Sequence, residues 1–471
     1  MVFSSLTFLF IFLPSVLFIY YLINTRFRNI FLTIASLIFY AWGEQKLVML
    51  MIFSISINYL GGILISLMAR EGRSKASRIF LFFFVAMNVL ILGYFKYTNF
   101  IIANINEMGI LSFSSLNEII LPIGISFFTF QGMSYLIDVY YEKVDSQKSL
   151  VSLALYISMF PQLIAGPIVR YIDVSKQIEA DRKFDILQFQ RGVIRFIIGL
   201  FKKVIIANQM GFMADFVFNN SGEVGSVSLW IGVVSYAFQI YFDFSGYSDM
   251  AIGLGKMFGF DFLENFNHPY ISKSIQEFWR RWHISLSSWF RDYLYIPLGG
   301  NRKGIGRTYV NLIIVFFITG LWHGASWNFI FWGLFHGFFL IWERIGLSKF
   351  LNKAPNFVGH IYLALVVLVG WVFFRAENLS DAWQYLEGMF AFRKGGNEIV
   401  YQYISTYFVF VFIIAVIFST NIKVYFKAKW ALLNKPQQFK YILYPMYLVL
   451  FFLSLLELAE SNYNPFIYFR F

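Results

Sequence analysis

The chain of 471 residues contains no cysteine and few charged residues. The absence of cysteine excludes disulfide bonds, thiolate metal sites and a cysteine nucleophile. Charged residues make up 14% of the chain, whereas a soluble domain carries about 25%. Apolar residues make up 58%, including 60 phenylalanines. This composition excludes an ordinary cytosolic enzyme, a disordered chain and a fibrous repeat, and it indicates a polytopic membrane protein.

Long apolar segments recur along the whole chain, and we expect about 11–12 membrane-crossing helices in one all-α domain that spans residues 1–471. The predicted crossings are 3–23, 29–42, 47–68, 79–95, 120–141, 193–218, 227–244, 309–322, 327–342, 357–374, 401–419 and 441–458. The segment 150–169 is uncharged, but Pro161, Gly166 and Pro167 interrupt it and both of its flanks are basic. We therefore expect a re-entrant piece that enters and leaves on one side of the membrane.

The net charge of +12 could indicate a nucleic-acid partner, but its placement argues against one. Of the 38 basic residues, 32 lie in predicted cytoplasmic stretches, as cytoplasmic loops of membrane proteins require. These stretches are 26–28, 70–78, 143–148, 170–203, 247–307, 344–353 and 421–440. The first apolar segment precedes its basic residues, the reverse of a cleavable signal peptide, so we expect a retained helix. This topology places both termini outside.

His323 lies between two apolar runs, in the sequence Thr319-Gly-Leu-Trp-His-Gly-Ala-Ser-Trp327. Ionisable residues inside a membrane segment are costly and are therefore functional candidates. A buried imidazole stays neutral near pH 7 and can accept a proton from an attacking hydroxyl, which is the work of a general base. The alternative is a structural histidine that bonds a neighbouring helix.

The segment 278–292 reads as one amphipathic helix at the membrane interface, in the polar region 245–307. Trp282 lies on its apolar side, whereas Arg280 and Arg281 occupy polar positions. An anchoring helix explains the tryptophans and arginines, although the arginines could also attract the phosphates of an acyl donor. His283 is not explained by anchoring.

Asp243 and Asp249 lie at the inner end of a predicted crossing. They are six residues apart, so a straight helix would not place them on one face, and we expect Ser245-Gly246 to break the helix. The carboxylates could conduct protons or polarise a histidine, but we favour a structural network. No spacing of His, Asp and Glu resembles a transition-metal site, so no metal is predicted.

Several of these blocks resemble the membrane-bound O-acyltransferase superfamily, in its bacterial alginate O-acetyltransferase branch. They are Leu121-Pro-Ile-Gly-Ile-Ser-Phe-Phe-Thr-Phe130, Gln162-Leu-Ile-Ala-Gly-Pro167, Tyr241-Phe-Asp-Phe-Ser-Gly-Tyr-Ser-Asp249, Phe278-Trp-Arg-Arg-Trp-His283, Trp289-Phe-Arg-Asp-Tyr-Leu-Tyr-Ile-Pro-Leu-Gly-Gly300, Gly320-Leu-Trp-His-Gly324 and Asn464-Pro-Phe-Ile-Tyr-Phe-Arg-Phe471.

The resemblance implies a ring of transmembrane helices around a central tunnel, with His323 as the catalytic residue and His283 as a second functional histidine. It implies that acetyl-CoA is the cytoplasmic acyl donor, with no bound cofactor. It also implies an extracytoplasmic partner of the SGNH esterase type and a polysaccharide acceptor, in the inner membrane of a bacterium. Arg280, Arg281, Trp282, Asp243, Asp249 and Trp322 are then candidates for donor or substrate binding.

Two other functions stay open. One is D-alanyl transfer to teichoic acid, by a branch of the same superfamily that shares the Trp-His-Gly motif. The other is a proton-coupled transporter or flippase, although transporters often show repeated halves and we find no internal repeat. The acceptor polymer is also open among alginate, peptidoglycan, cellulose and other exopolysaccharides.

Overall fold

The computed structural model describes residues 1–109, 119–164, 166–422, 436–461 and 463–467. The described residues are 78% helical, and they contain no strand. The all-α prediction is therefore confirmed.

The chain forms two compact units. The first comprises residues 1–193 and 251–263, and the second comprises residues 194–250 and 264–471. The α-helices that begin before residue 194 are α1 (Leu13–Leu22), α2 (Arg28–Glu44), α3 (Val48–Arg70), α4 (Ser74–Glu107), α5 (Ile125–Tyr140), α6 (Leu150–Ser158), α7 (Phe160–Leu163), α8 (Tyr171–Glu179) and α9 (Ile186–Phe201). The later ones are α10 (Asn208–Asn219), α11 (Ser226–Met257), α12 (Ile275–Arg281), α13 (Ile284–Phe290), α14 (Ile305–His323), α15 (Trp327–Trp342), α16 (Ser348–Lys353), α17 (Asn356–Arg375), α18 (Leu379–Phe390), α19 (Asn397–Tyr401), α20 (Thr406–Ser419) and α21 (Pro436–Glu460).

Eight helices in the described ranges are long and apolar enough to cross a membrane. They are Thr25–Arg70, Ser74–Glu107, Ile186–Asn219, Ser226–Met257, Ile305–His323, Trp327–Lys353, Asn356–Arg375 and Leu443–Glu460. Phe8–Leu22 and Thr406–Ser419 are shorter apolar helices. The predicted crossings 29–42 and 47–68 fall within one of the eight. The multi-pass prediction is confirmed, and the predicted sidedness of the loops stays a prediction.

The predicted interruption of segment 150–169 is present. α6 ends at Ser158, and Met159 leaves the helical conformation before α7 begins. The hydroxyl of Tyr156 donates a hydrogen bond to the carbonyl of Val169 at 3.0 Å. Such side-chain bonds satisfy backbone groups that a broken helix leaves exposed, which is the condition for irregular backbone at membrane depth.

The predicted break at Ser245-Gly246 is wrong, because α11 continues through both residues. A Cβ added to Gly246 would lie 2.8 Å from the carbonyl oxygen of Gly199 on α9. The glycine therefore serves close packing between two helices. Ser245 lies within α11 and is buried.

Candidate active site

His323 is the last residue of α14, and its side chain is 6% exposed. The helix ends there because Gly324 adopts an extended conformation before α15 begins. The imidazole lies edge-on to the rings of Trp332 and Phe374, with ring centroids 4.9 and 5.1 Å apart. These rings cover part of the imidazole and leave it largely buried.

Glycines fix the position of His323 relative to α15. A Cβ on Gly320 would overlap the carbonyl oxygen of Phe329, and a Cβ on Gly333 would overlap the carbonyl oxygen of Phe316. The backbones of α14 and α15 therefore approach more closely than any larger residue permits, as small residues allow between membrane helices.

His283 lies at a sharp break between two short helices, and the predicted single helix over 278–292 is therefore wrong. α12 ends at Arg281 and α13 begins at Ile284, with His283 in the left-handed region at φ 44°. Such a conformation is strained for a residue with a side chain. The predicted apolar side is nevertheless buried: Phe278, Trp279, Trp282, Leu286, Trp289 and Tyr293 are each at most 9% exposed.

Asn265 orients the imidazole of His283. Its side-chain oxygen Oδ1 lies 3.1 Å from Nδ1 of His283 and accepts a hydrogen bond from the backbone N–H of Ser285 at 3.2 Å. Because a backbone N–H can only donate, this atom is an acceptor, and Nδ1 of His283 carries the proton. Nε2 then keeps its lone pair. Burial lowers the pKa of His283 from 6.5 to about 3, so the ring is neutral at physiological pH.

Both histidines line one cavity in the second unit, and the space between atoms there is about 290 Å³, including a part that is open to solvent. Its walls are otherwise apolar and aromatic. The lining residues are Ile240, Phe244, Trp282, His283, His323, Trp332, Trp371, Phe374 and Ile467. A concave apolar space with a few polar groups is the usual form of a small-molecule site.

Trp322 contacts both histidines. Its ring centroid lies 4.8 Å from that of His323 and 6.1 Å from that of His283. Trp332 brings a further polar group, since its buried indole Nε1 has no hydrogen-bond partner among the described residues. Trp332 was not among the site residues predicted from the sequence, although it follows His323 by nine positions.

Asp243 does not line the cavity itself, but it binds the C-terminal segment that does. Its Oδ2 accepts a hydrogen bond from the backbone N–H of Ile467 at 2.8 Å, and its Oδ1 lies 2.9 Å from Nζ of Lys203. Lys203 also donates to the carbonyl of Pro465. Both charged side chains are at most 3% exposed. The buried ion pair therefore holds the segment that places Ile467 in the cavity wall. Residues 468–471, the rest of the matching C-terminal ending, lie outside the described residues.

Five of the eight predicted site residues do not line the cavity, namely Asp243, Trp322, Asp249, Arg280 and Arg281. Asp249 forms ion pairs with Arg195 at 2.6 Å and Lys202 at 2.7 Å. Arg281 pairs with Glu277 at 3.0 Å on its own helix, and Arg280 is exposed. Donor binding by these residues therefore stays a prediction.

The family described as MBOAT, membrane-bound O-acyltransferase family, matches residues 38–380 of this chain. "Probable alginate O-acetylase AlgI" of Pseudomonas aeruginosa is 47% identical over 399 residues, which cover 83% of this chain and 75% of the relative. The peptidoglycan O-acetyltransferase of Helicobacter pylori is 39% identical, over 83% of this chain and 80% of its own. The teichoic acid D-alanyltransferase of Bacillus subtilis is 32% identical, over 45% and 56%.

The family match covers both histidines of the cavity, since His283 and His323 lie within residues 38–380. The multi-pass helical fold agrees with it. The chain therefore belongs to the membrane-bound O-acyltransferase family and is a membrane-embedded O-acyltransferase.

Proposed function

We propose that this protein takes an acetyl group from cytoplasmic acetyl-CoA and passes it across the membrane for O-acetylation of a cell-surface polysaccharide. The names of two relatives that each match 83% of this chain, an alginate O-acetylase and a peptidoglycan O-acetyltransferase, support this substrate class. The observation that carries the proposal is the cavity that two buried histidines share.

His323 is the general base of the proposed reaction. The imidazole accepts the proton of the acceptor hydroxyl as its oxygen attacks the acetyl carbonyl carbon of the thioester. The tetrahedral intermediate then collapses, the carbon–sulfur bond breaks, and the proton passes to the leaving thiolate. A base within hydrogen-bond reach of the hydroxyl contributes about 10²- to 10⁴-fold to such a step.

The remaining polar groups of the cavity bind the acyl group. Nε2 is the acceptor nitrogen of the His283 ring, because Asn265 holds the proton on Nδ1. The indole N–H of Trp332, buried beside His323, donates to the carbonyl oxygen as negative charge develops on it. Removing one such donor typically costs about 10²- to 10³-fold in rate.

The cell inner membrane is the proposed location, with both termini outside. The donor side is the basic, cytoplasmic one, and the exposed Arg280 is placed to attract the CoA phosphates there. The acceptor side faces an extracytoplasmic partner of the SGNH esterase type, which selects the polymer.

The test compares base-labile acetate on each envelope polymer in wild-type cells, deletion cells and cells that carry variants. We expect one polymer to lose its acetate on deletion. His323→Ala is expected to leave it unacetylated, and Trp332→Phe, which keeps a ring but removes the N–H, to lower acetylation about 10²-fold. His360→Gln is the matched control, because His360 bonds the carbonyl of Ser272 and does not line the cavity.

Immunoblots of the membrane fraction check that each variant inserts in normal amount. Full acetylation by His323→Ala would contradict the base assignment. Loss of D-alanine rather than acetate from the envelope would support the D-alanyl alternative, which the Bacillus subtilis relative favours over less than half of the chain.

A further inference from the structure

Two arginines of the first unit are buried, and neither has an acidic partner in the described part of the chain. Arg28 is 7% exposed and Arg182 is 8% exposed. Arg182 donates hydrogen bonds to the hydroxyl of Tyr20 at 3.0 Å, to the carbonyls of Gln177 and Ile178 at 2.7 and 3.1 Å, and to the side-chain oxygen of Asn29. Arg28 donates to the carbonyl of Arg182. Every one of these acceptors is neutral.

The protein's own groups leave this pair of charges poorly compensated. The Arg28 guanidinium lies 4.9 Å from the ring centroid of Tyr20 and 5.3 Å from that of Tyr21, and Arg182 lies 4.5 Å from Phe260. A cation–π contact stabilises a buried cation only weakly, and by less than the burial of the charge costs. No carboxylate in the described part of the chain forms an ion pair with either arginine. An anion from outside the chain would offset the cost.

The unused donors of Arg28 indicate where that anion binds. Nη1 holds the carbonyl of Arg182, whereas the buried Nε has no partner within the described ranges. Nε and Nη2 form the edge of a guanidinium that binds a phosphate with two parallel hydrogen bonds.

We propose that Arg28 binds a phosphate group, with Arg182 as the second positive charge of the site. Two molecules carry this chemistry at a membrane surface, namely the headgroup of an anionic phospholipid and the phosphates of a soluble nucleotide such as coenzyme A. The site lies in a different unit from the histidine cavity, and it does not depend on the proposed function.

The experiment measures thermal unfolding of the purified full chain in detergent with four probes. These are dioctanoyl phosphatidylglycerol, its zwitterionic phosphatidylcholine counterpart, coenzyme A and inorganic phosphate. We expect a concentration-dependent rise in Tm with phosphatidylglycerol or with coenzyme A, as binding to the folded state requires. Stabilisation by phosphatidylglycerol alone identifies a lipid site, and stabilisation by coenzyme A alone identifies a nucleotide site.

Variants then locate the site. Arg28→Met is expected to weaken binding of the active probe at least about tenfold, and Arg28→Lys, which keeps the charge but loses the two-pronged edge, to weaken it less. Arg26→Met is the matched control, since Arg26 is exposed two residues earlier. A wild-type chain that no probe stabilises would overturn the proposal, whether or not Arg28→Met folds. Equal affinities of wild type and Arg28→Lys would overturn the assignment to the guanidinium edge.

Discussion

The two histidines of the cavity are held by different physical means. His323 ends a 19-residue helix whose place is set by backbone contact between α14 and α15 at Gly320 and Gly333. His283 stands between two seven-residue helices, where hydrogen bonds to Asn265 fix it. The His323 side of the cavity is therefore sensitive to added side-chain volume, and the His283 side is sensitive to the loss of a hydrogen-bond acceptor. Substitutions that change one property at a time can separate the two sides.

Adding one methyl group to the helix of His323 should have the largest effect. In Gly320→Ala the new Cβ would overlap the backbone oxygen of Phe329, which cannot turn away as a side chain can. Overpacking of this kind typically costs about 1–3 kcal/mol. The shift also displaces His323, and a misplacement of about 1 Å can cost about 100-fold in rate. We expect acyl transfer to fall at least about 100-fold, measured with purified protein.

Gly306→Ala is the control for this prediction, because Gly306 lies on the same helix and nothing lies within 4 Å of its added Cβ. That variant should keep the wild-type rate and Tm. If Gly320→Ala transferred acetyl groups as fast as Gly306→Ala, backbone packing would not determine the position of His323.

Removing a hydrogen-bond acceptor from the side of His283 should have an intermediate effect. Asn265→Ala deletes Oδ1, which serves His283, the backbone N–H of Ser285 and the hydroxyl of Ser285. A buried donor left without a partner costs about 1–3 kcal/mol. The imidazole also becomes free to turn, so we expect a loss of about 10- to 100-fold in rate, in keeping with the energy of one such bond.

Asn267→Ala tests the specificity of that effect, since Asn267 is exposed and contributes its backbone carbonyl to Arg281. Its rate should stay close to that of wild type. A similar loss in both variants would mean that the loop as a whole, and not the orientation of His283, determines the rate.

The sequence predicts the two histidines for different reasons. His323 is an ionisable residue between two apolar runs, whereas His283 lies in an interfacial segment whose anchoring role does not explain it. The sequence predicts the buried faces of segment 278–292 through their periodicity, although it does not predict the break. Trp282 and His283 are neither glycine nor proline, so no local signal marks the turn. The break is stabilised from a distance, by the backbone bond from Ile284 to Asn265 at 2.9 Å.

Other parts of the site depend on contacts between residues far apart in sequence. Asp243 binds the backbone of Ile467, 224 positions later, and no pattern near either residue indicates that bond. Asn265 likewise lies in a loop without a recognisable motif. By contrast, the spacing of Glu277 and Arg281 does indicate their ion pair, because side chains four apart on a helix are neighbours.

The smallest expected effect concerns the pH dependence of stability on the His283 side. Burial lowers the pKa of His283 to about 3, whereas in an unfolded chain the ring titrates near its ordinary value of 6.5. Between these values the unfolded chain binds a proton that the folded protein does not bind. The contribution of the neutral His283 ring to the free energy of unfolding is therefore complete above about pH 6.5, and it is lost as the pH falls towards 3. His283→Gln removes this contribution, so its Tm should fall less steeply than that of wild type from about pH 7 to about pH 4. Carboxylates titrate in both proteins, and the difference between the two curves isolates the histidine. Parallel curves would show that His283 is open to water and protons in the folded protein. Burial and hydrogen bonding of His283 would then not be what distinguishes it from His323.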